Sequence, residues 1–278
     1  MSAVITEFAP AKINLALHVL GRRMDGYHEL DSVVAFADVG DVLTFAPSDV
    51  TTLSVDGPFA SEVPATPDNL VLKACAALKL HCNMPGATIH LTKNLPVASG
   101  MGGGSADAAA ALRALIRMFN LRLESGILRN IALSLGADVP VCLHGKACRM
   151  QGVGEIITPL ERLPAPAILL VNPRQPCGTA EVFRKMALKP GDVAGSALKL
   201  DEPLAWRNDM ERTALQVLPV VDDVLKLLAT LPNSQCVRMS GSGATCFALF
   251  DDYAKTSVAA ELVNRYRPDW WTAAARLR

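Results

Sequence analysis

The chain has 278 residues, half of them hydrophobic and 19% charged, so it can bury the core of one large domain or two modest ones. Lys and Arg together number 27, as do Asp and Glu, a balance that excludes the basic footprint of a nucleic-acid binder. No apolar run reaches the roughly 18–20 residues that span a bilayer, because Arg113 and Arg117 interrupt the Ala- and Leu-rich stretch 106–119, so a membrane role is excluded as well.

In chain order, Ile13, Leu15, Leu17 and Val19 alternate with Asn14, Ala16 and His18, the period-two pattern of a half-buried strand ending at Gly21. Segments 30–37 and 42–46 read as two more strands joined by a hairpin turn at Gly40-Asp41, which makes the first 60 residues mainly β. Asp68-Asn69 caps a helix over 70–80, and Ile89 and Leu91 mark a strand running into Pro96. Behind the glycines at 100 and 102–104, apolar residues at 108, 112, 115, 116 and 119 form a helical stripe that starts near Ser105. A helix over 124–135 is stopped by Gly136, and 146–160 reads as a β-hairpin.

Residues 165–171 form a short apolar strand that opens a second lobe. Helices are expected at 180–188, 209–217 and 219–230, the last with Pro219 suited to its first turn. Strands at 237–239 and 245–250 flank Gly241-Ser242-Gly243, and a helix at 255–266 and a strand at 271–277 complete an α+β lobe. The boundary falls in a Pro-containing connection, giving lobes 1–162 and 163–278.

The N-terminal stretch MSAVITEFAPAKINL has neither the basic, apolar and cleavable regions of a secretion signal nor the Arg- and Ser-rich character of a transit peptide, so a cytoplasmic location is expected. The seven cysteines are odd in number and none has CxxC spacing, so reduced, buried small residues are expected. Cys82 beside His81 has no further ligands nearby in sequence to make a metal site.

The most informative stretch is Asn94-Leu-Pro-Val-Ala-Ser-Gly-Met-Gly-Gly-Gly-Ser-Ala-Asp107, between an expected strand and an expected helix. Each glycine costs a regular element roughly 0.5–1 kcal/mol relative to Ala, so four in five positions imply a requirement for them. They allow positive φ and close backbone approach, so several amide N–H groups can converge on one anion at the positive end of the following helix. That geometry is a phosphate cradle. It is not a Walker A loop, since the only Gly-Lys pair, Gly145-Lys146, has Pro140 and Ala147 at the other two required positions. Nor is it a dinucleotide fingerprint, because GxGxxG started from Gly100 fails at Ser105. The HRD and DFG signatures of protein kinases are absent.

Three other features are ambiguous by themselves. Lys12 and Asn14 leave one face of the first strand, as solvated residues would also do. Asp138 in Gly136-Ala-Asp-Val-Pro140 follows a helix end, where a turn residue or cap is common. Gly241-Ser242-Gly243 suits a plain hairpin as well as a ligand loop.

Taken together, the four features resemble the GHMP kinases, the family of galactokinase, homoserine kinase, mevalonate kinase and phosphomevalonate kinase. The glycine segment is similar to the family's second motif and Gly241-Ser242-Gly243-Ala244 to its third. The segments Pro10-Ala-Lys-Ile-Asn14, Asp25-Gly-Tyr-His28, Gly102-Gly-Gly-Ser-Ala-Asp107 and Leu135-Gly-Ala-Asp-Val-Pro140 resemble the branch that phosphorylates cytidine-diphosphate methylerythritol in the non-mevalonate route to isoprenoids. Ala106 departs from the usual second Ser after the glycines, and Met101 stands where Leu is common.

The resemblance implies a two-lobe α+β fold, with a β-rich N-terminal lobe that binds ATP, an α+β C-terminal lobe, and the active site in the cleft between them. It implies a transferase moving the ATP γ-phosphate to a 2-hydroxyl, with Asp138 as general base and Lys12 as its electrostatic partner. The nucleotide phosphates would meet Pro96, Val97, Ala98, Ser99, Gly100, Met101, Gly102, Gly103, Gly104, Ser105 and Ala106. The acceptor would meet Asn14, Tyr27, His28, Thr179 and Phe183, an aromatic ring and an imidazole suiting the π face and polar edges of a cytosine. Mg²⁺ is expected with ATP, its protein ligand unassigned and Ser105 a candidate. The expected partners are these small molecules alone, and the chain a monomer or weak homodimer. A GHMP kinase for another small alcohol such as homoserine, and a catalytically silent sensor of the same fold, are the rivals. Tyr27 and His28 weigh against the first, and the joint presence of Lys12, Asp138 and the glycine segment against the second.

Overall fold

A computed structural model describes residues 4–163 and 165–278. Residues 1–3, part of the stretch scanned for a targeting signal, and Pro164, in the connection where the lobe boundary is expected, lie outside the described residues. In chain order the elements are β1 (Ile5–Arg22), β2 (His28–Ser48), β3 (Thr52–Asp56), α1 (Leu70–Lys79), β4 (Gly86–Thr92), α2 (Gly103–Met118), α3 (Ser125–Leu135) and α4 (Val139–His144). There follow β5 (Cys148–Gly152), β6 (Ile156–Pro159), β7 (Ala167–Asn172), α5 (Thr179–Met186), α6 (Glu211–Val217), α7 (Val220–Thr230), β8 (Cys236–Met239), β9 (Cys246–Phe250), α8 (Tyr253–Tyr266) and β10 (Trp271–Arg276). Among the described residues no helix is long and apolar enough to cross a membrane.

The chain forms two compact α+β units built from interleaved segments. The first holds the segment ending at Ala11 together with Gly40–Val97 and Gly102–Gly145. The second holds Lys12–Val39, Ala98–Met101 and Lys146–Arg278, so residues 165–171 fall in it along with part of the N-terminal half.

In the first unit the C-terminal half of β2 pairs antiparallel with β4 from Val42↔Thr92 to Ser48↔Gly86, and β3 adds in parallel. Leu43, Phe45, Ile89 and Leu91 of these strands, Val71 and Leu78 of α1 and Leu112 and Leu115 of α2 are all fully buried, and α1 packs against α2. The Asn69 side chain accepts from the Val71 amide and so starts α1 as expected. One helix is unanticipated: α4, with Pro140 in its first turn, follows directly on Asp138.

The expected hairpin at Gly40-Asp41 is absent, and β2 runs through it as one strand. Gly40 is there for close approach, since a Cβ would lie 2.2 Å from the Ala9 carbonyl oxygen of β1. Asp41 is fully buried and bound to Lys93 and two backbone amides, not turned out in a loop.

In the second unit the N-terminal half of β2 pairs with β5, and β5 with β6. A separate four-stranded antiparallel sheet has the order β10-β7-β9-β8. β7 is buried at every position, as a strand should be when both faces are covered, and its residues join Phe250, Val224, Leu228 and Val263 in one core. The alternation that reads as β1 in sequence extends further than the apolar residues alone suggest, because Lys12, Asn14 and His18 are buried too.

Candidate active site

The first unit carries Pro96, Val97, Gly102 to Ala106 and Asp138. Gly102 precedes α2 with φ of +62°, a left-handed turn that a glycine makes without strain. The first amides of α2 therefore emerge from the glycines themselves, and no side chain caps that helix. Gly104 is exposed and its missing Cβ would make only an ordinary contact with Leu70, so the backbone here is open to a ligand. Gly103 is different: a Cβ would lie 3.1 Å from the Lys93 ammonium, so part of the demand for glycine comes from beneath the helix. Asp138 is half-buried, at the start of α4, where its side chain does not cap that helix.

The second unit carries Lys12, Asn14, Tyr27, His28, Ala98 to Met101, Thr179 and Phe183. Lys12 is 3% exposed, and its amide donates to the Met101 carbonyl at 2.9 Å. Asn14 donates its side-chain amide to Ser32 Oγ at 2.7 Å and its backbone N–H to Ser240 Oγ at 3.1 Å. Its Oδ1 is buried with no hydrogen-bond donor among the described residues. Ser240 Oγ in turn donates to the Gly100 carbonyl at 3.0 Å, and the Thr245 amide donates to the Ser99 carbonyl at 3.0 Å. The first strand, residues 99–101 of the glycine segment and the residues flanking the third glycine motif are thus joined by hydrogen bonds within this unit. A Cβ on Gly100 would lie 2.4 Å from the Ser240 carbonyl oxygen, and one on Gly241 2.8 Å from the Gly100 carbonyl oxygen. These glycines serve mutual packing of the two loops. Thr179 Oγ1 shares a 2.8 Å hydrogen bond with Ser242 Oγ of the same motif.

His28 and Phe183 stack on each other, with centroids 4.2 Å apart and planes 19° from parallel. Burial, and next the Arg22 guanidinium, lower the His28 pKa from 6.5, so the ring is neutral at physiological pH. Its Nε2 is buried without a partner among the described residues. Tyr27 is 61% exposed, and its amide donates to Asp25 Oδ1. A neutral imidazole stacked on a phenyl ring, with an exposed phenol next to it in sequence, makes a flat aromatic surface.

Sequence reasoning misses Ser240 and Asn208. Asn208 donates to the Met239 and Gly241 carbonyls, both at 2.8 Å, and fixes the third motif. Ser240 sits next to a recognised motif and was within reach; Asn208 has no local signature, because its partners lie more than 30 residues away.

Comparison with known proteins gives the family. Residues 69–146 match the GHMP kinases N terminal domain and residues 195–268 the GHMP kinases C terminal domain. The chain belongs to the GHMP kinase family. Within it, the chain is 46% identical to a 4-diphosphocytidyl-2-C-methyl-D-erythritol kinase of Paramagnetospirillum magneticum, covering 97% of both chains. It is 47% identical to the kinase of the same name from Dinoroseobacter shibae, over 100% of this chain and 96% of that one. A crystal structure of 4-(cytidine 5'-diphospho)-2C-methyl-D-erythritol kinase superposes with a TM-score of 0.81 at 32% identity, covering 98% of this chain and 99% of that one. A homoserine kinase from Cytophaga hutchinsonii, at 17% identity and a TM-score of 0.73 over 99% of this chain and 95% of the other, shares the GHMP fold.

Proposed function

We propose that this GHMP kinase transfers the γ-phosphate of ATP to the 2-hydroxyl of 4-diphosphocytidyl-2-C-methyl-D-erythritol, yielding its 2-phosphate and ADP. The observation that carries the reading is the His28–Phe183 stack, a nucleobase-shaped surface for which a homoserine-sized acceptor has no use. Tyr27 adds an exposed ring, and Asn14 and Thr179 add polar atoms on the acceptor's side. Full-length relatives named for the same cytidine compound point the same way.

Phosphoryl transfer passes through a loose transition state with charge spread over the equatorial oxygens, so the protein's work is positioning and charge stabilisation. In this reading Asp138 accepts the proton of the attacking hydroxyl. A carboxylate is a far weaker base than an alkoxide, so the proton moves late, as bond formation acidifies the hydroxyl. Lys12 supplies positive charge toward oxyanion character on the nucleophile. Backbone N–H groups of the glycine segment between Pro96 and Ala106 receive the phosphates at the start of α2.

Among the described residues no three His, Cys, Asp or Glu side chains cluster as a metal cage. Mg²⁺, expected with ATP, keeps several waters and is held mostly by nucleotide oxygens, and the Ser105 hydroxyl is the candidate protein ligand. Bound Mg²⁺ would neutralise charge on the phosphates. A cytoplasmic location accords with seven cysteines that are all free thiols. The test is turnover with ATP and each of three acceptors: the cytidine compound, homoserine and mevalonate. Phosphorylation of the first alone is expected, and preference for either other alcohol would overturn the assignment.

A further inference from the structure

We propose that Lys93 is a positioning residue for the nucleotide loop, its ammonium tying the two ends of the glycine segment together and so setting where the loop's amides meet phosphate. This rests on reading residues 96–106 as the phosphate loop.

Lys93, Asp41 and Asp107 are 3%, 0% and 3% exposed. Lys93 Nζ donates to Asp41 Oδ2 at 2.5 Å and to Asp107 Oδ2 at 2.8 Å. Asp41 Oδ1 accepts from the amides of Asn94 at 2.7 Å and Leu95 at 2.9 Å, where the chain leaves β4 and enters the segment. Asp107 lies one turn into α2, where the segment ends. One ammonium therefore links entry and exit, and Gly103 leaves it room directly beneath the helix start.

Stability does not account for the cluster. Burying charges carries a desolvation cost, and apolar residues of similar volume commonly replace a buried ion pair without loss. What such a cluster adds is fixed geometry, since a carboxylate accepting two amides and an ammonium can occupy one arrangement only. Two carboxylates face one ammonium, and Asp107 Oδ1 has no hydrogen-bond donor among the described residues. Burial, relieved in part by Lys93 and reinforced by Asp41, raises the Asp107 pKa to about 7. Asp107 and Asp41 outweigh burial at Lys93 and keep it above its ordinary value of 10.5, so it stays charged.

The test is calorimetric titration of the full-length protein with a non-hydrolysable ATP analogue and, separately, with cytidine diphosphate. Lys93→Met should weaken the ATP analogue by at least about tenfold, the loss expected when one amide-to-phosphate hydrogen bond is misaligned. Cytidine diphosphate affinity should stay within about twofold. Asp41→Asn keeps the acceptor for Asn94 and Leu95 while turning a donor toward Lys93, and should act in the same direction. A folded Lys93→Met with a smaller change in ATP affinity, or with equal weakening of both ligands, would overturn the proposal. Should Lys93→Met fail to fold, Asp41→Asn is judged by the same criteria, and failure of both to fold would make the cluster a folding determinant and sink the idea. Wild-type protein that binds the ATP analogue without phosphorylating the cytidine compound would refute the substrate assignment and leave this test intact.

Discussion

Phe183→Ala separates substrate recognition from packing. Phe183 stacks on His28 at 4.2 Å and also rests half-buried against the core of the second unit, so truncation has two consequences. Full burial of a Phe makes its loss cost about 3–5 kcal/mol, so a half-buried ring should cost about 1.5–2.5 kcal/mol of stability. The stack itself is worth about 0.5–1.5 kcal/mol, and base–aromatic stacking about 1–3 kcal/mol per base. A contact remote from the reacting hydroxyl is made in ground and transition states alike, so its loss appears in KM. KM for the cytidine compound should therefore rise roughly 5- to 150-fold at tenfold per 1.4 kcal/mol, with KM for ATP nearly fixed. Phe183→Leu keeps most of the apolar packing without the ring, so it should retain most of the stability and lose most of the affinity. Steady-state kinetics with each substrate varied, paired with thermal melts of the unliganded variants, give both quantities. Parallel increases in the two KM values, or an unchanged KM for the cytidine compound in Phe183→Leu, would refute the reasoning.

Asp138→Asn keeps shape and removes basicity, so kcat should fall about 10²–10⁴-fold while ATP binding is retained; near-normal kcat would remove Asp138 from the role. Tyr27→Ala should raise KM for the cytidine compound by about 5- to 150-fold and leave stability almost unchanged, since the ring is 61% exposed. In Gly100→Ala the new Cβ meets the Ser240 carbonyl oxygen at 2.4 Å in a backbone of φ +78°, where something must shift. A loss of at least about 2 kcal/mol is expected, read as a Tm lower by roughly 4–8 °C, and an unchanged Tm would contradict the packing of the two loops. Asp107 binds its proton more tightly when folded, about 7 against 3.8. Its contribution to stability is thus complete below the unfolded value and lost as pH rises through the folded one. Wild-type Tm should fall relative to Asp107→Asn between pH 5 and pH 8, and a drift in the opposite direction would show that the sign is wrong.

The local elements were largely legible because their signals are local. Asn69 caps α1 through a neighbouring amide, the stripe from Ala108 to Leu115 faces the core, and the strands around Gly241-Ser242-Gly243 stand where alternation and turn residues put them. Gly40 misled because a glycine needed for close approach of a second strand carries the same letter as one needed for a turn. Likewise, composition marks the glycine segment as special without saying which glycine serves what. Gly102 makes a left-handed turn, Gly100 meets the third motif, and Gly103 makes room for Lys93. The motifs themselves, and with them the family, were carried by sequence alone, since each consists of particular residue types at short spacings. Tertiary structure decided the rest: that His28 lies on Phe183 across 155 positions, that Ser240 links Asn14 to Gly100, and that Asp41, Lys93 and Asp107 share one buried cluster. Partners so far apart in the chain leave no mark in local periodicity, because what brings them together is the burial of apolar surface elsewhere in the fold.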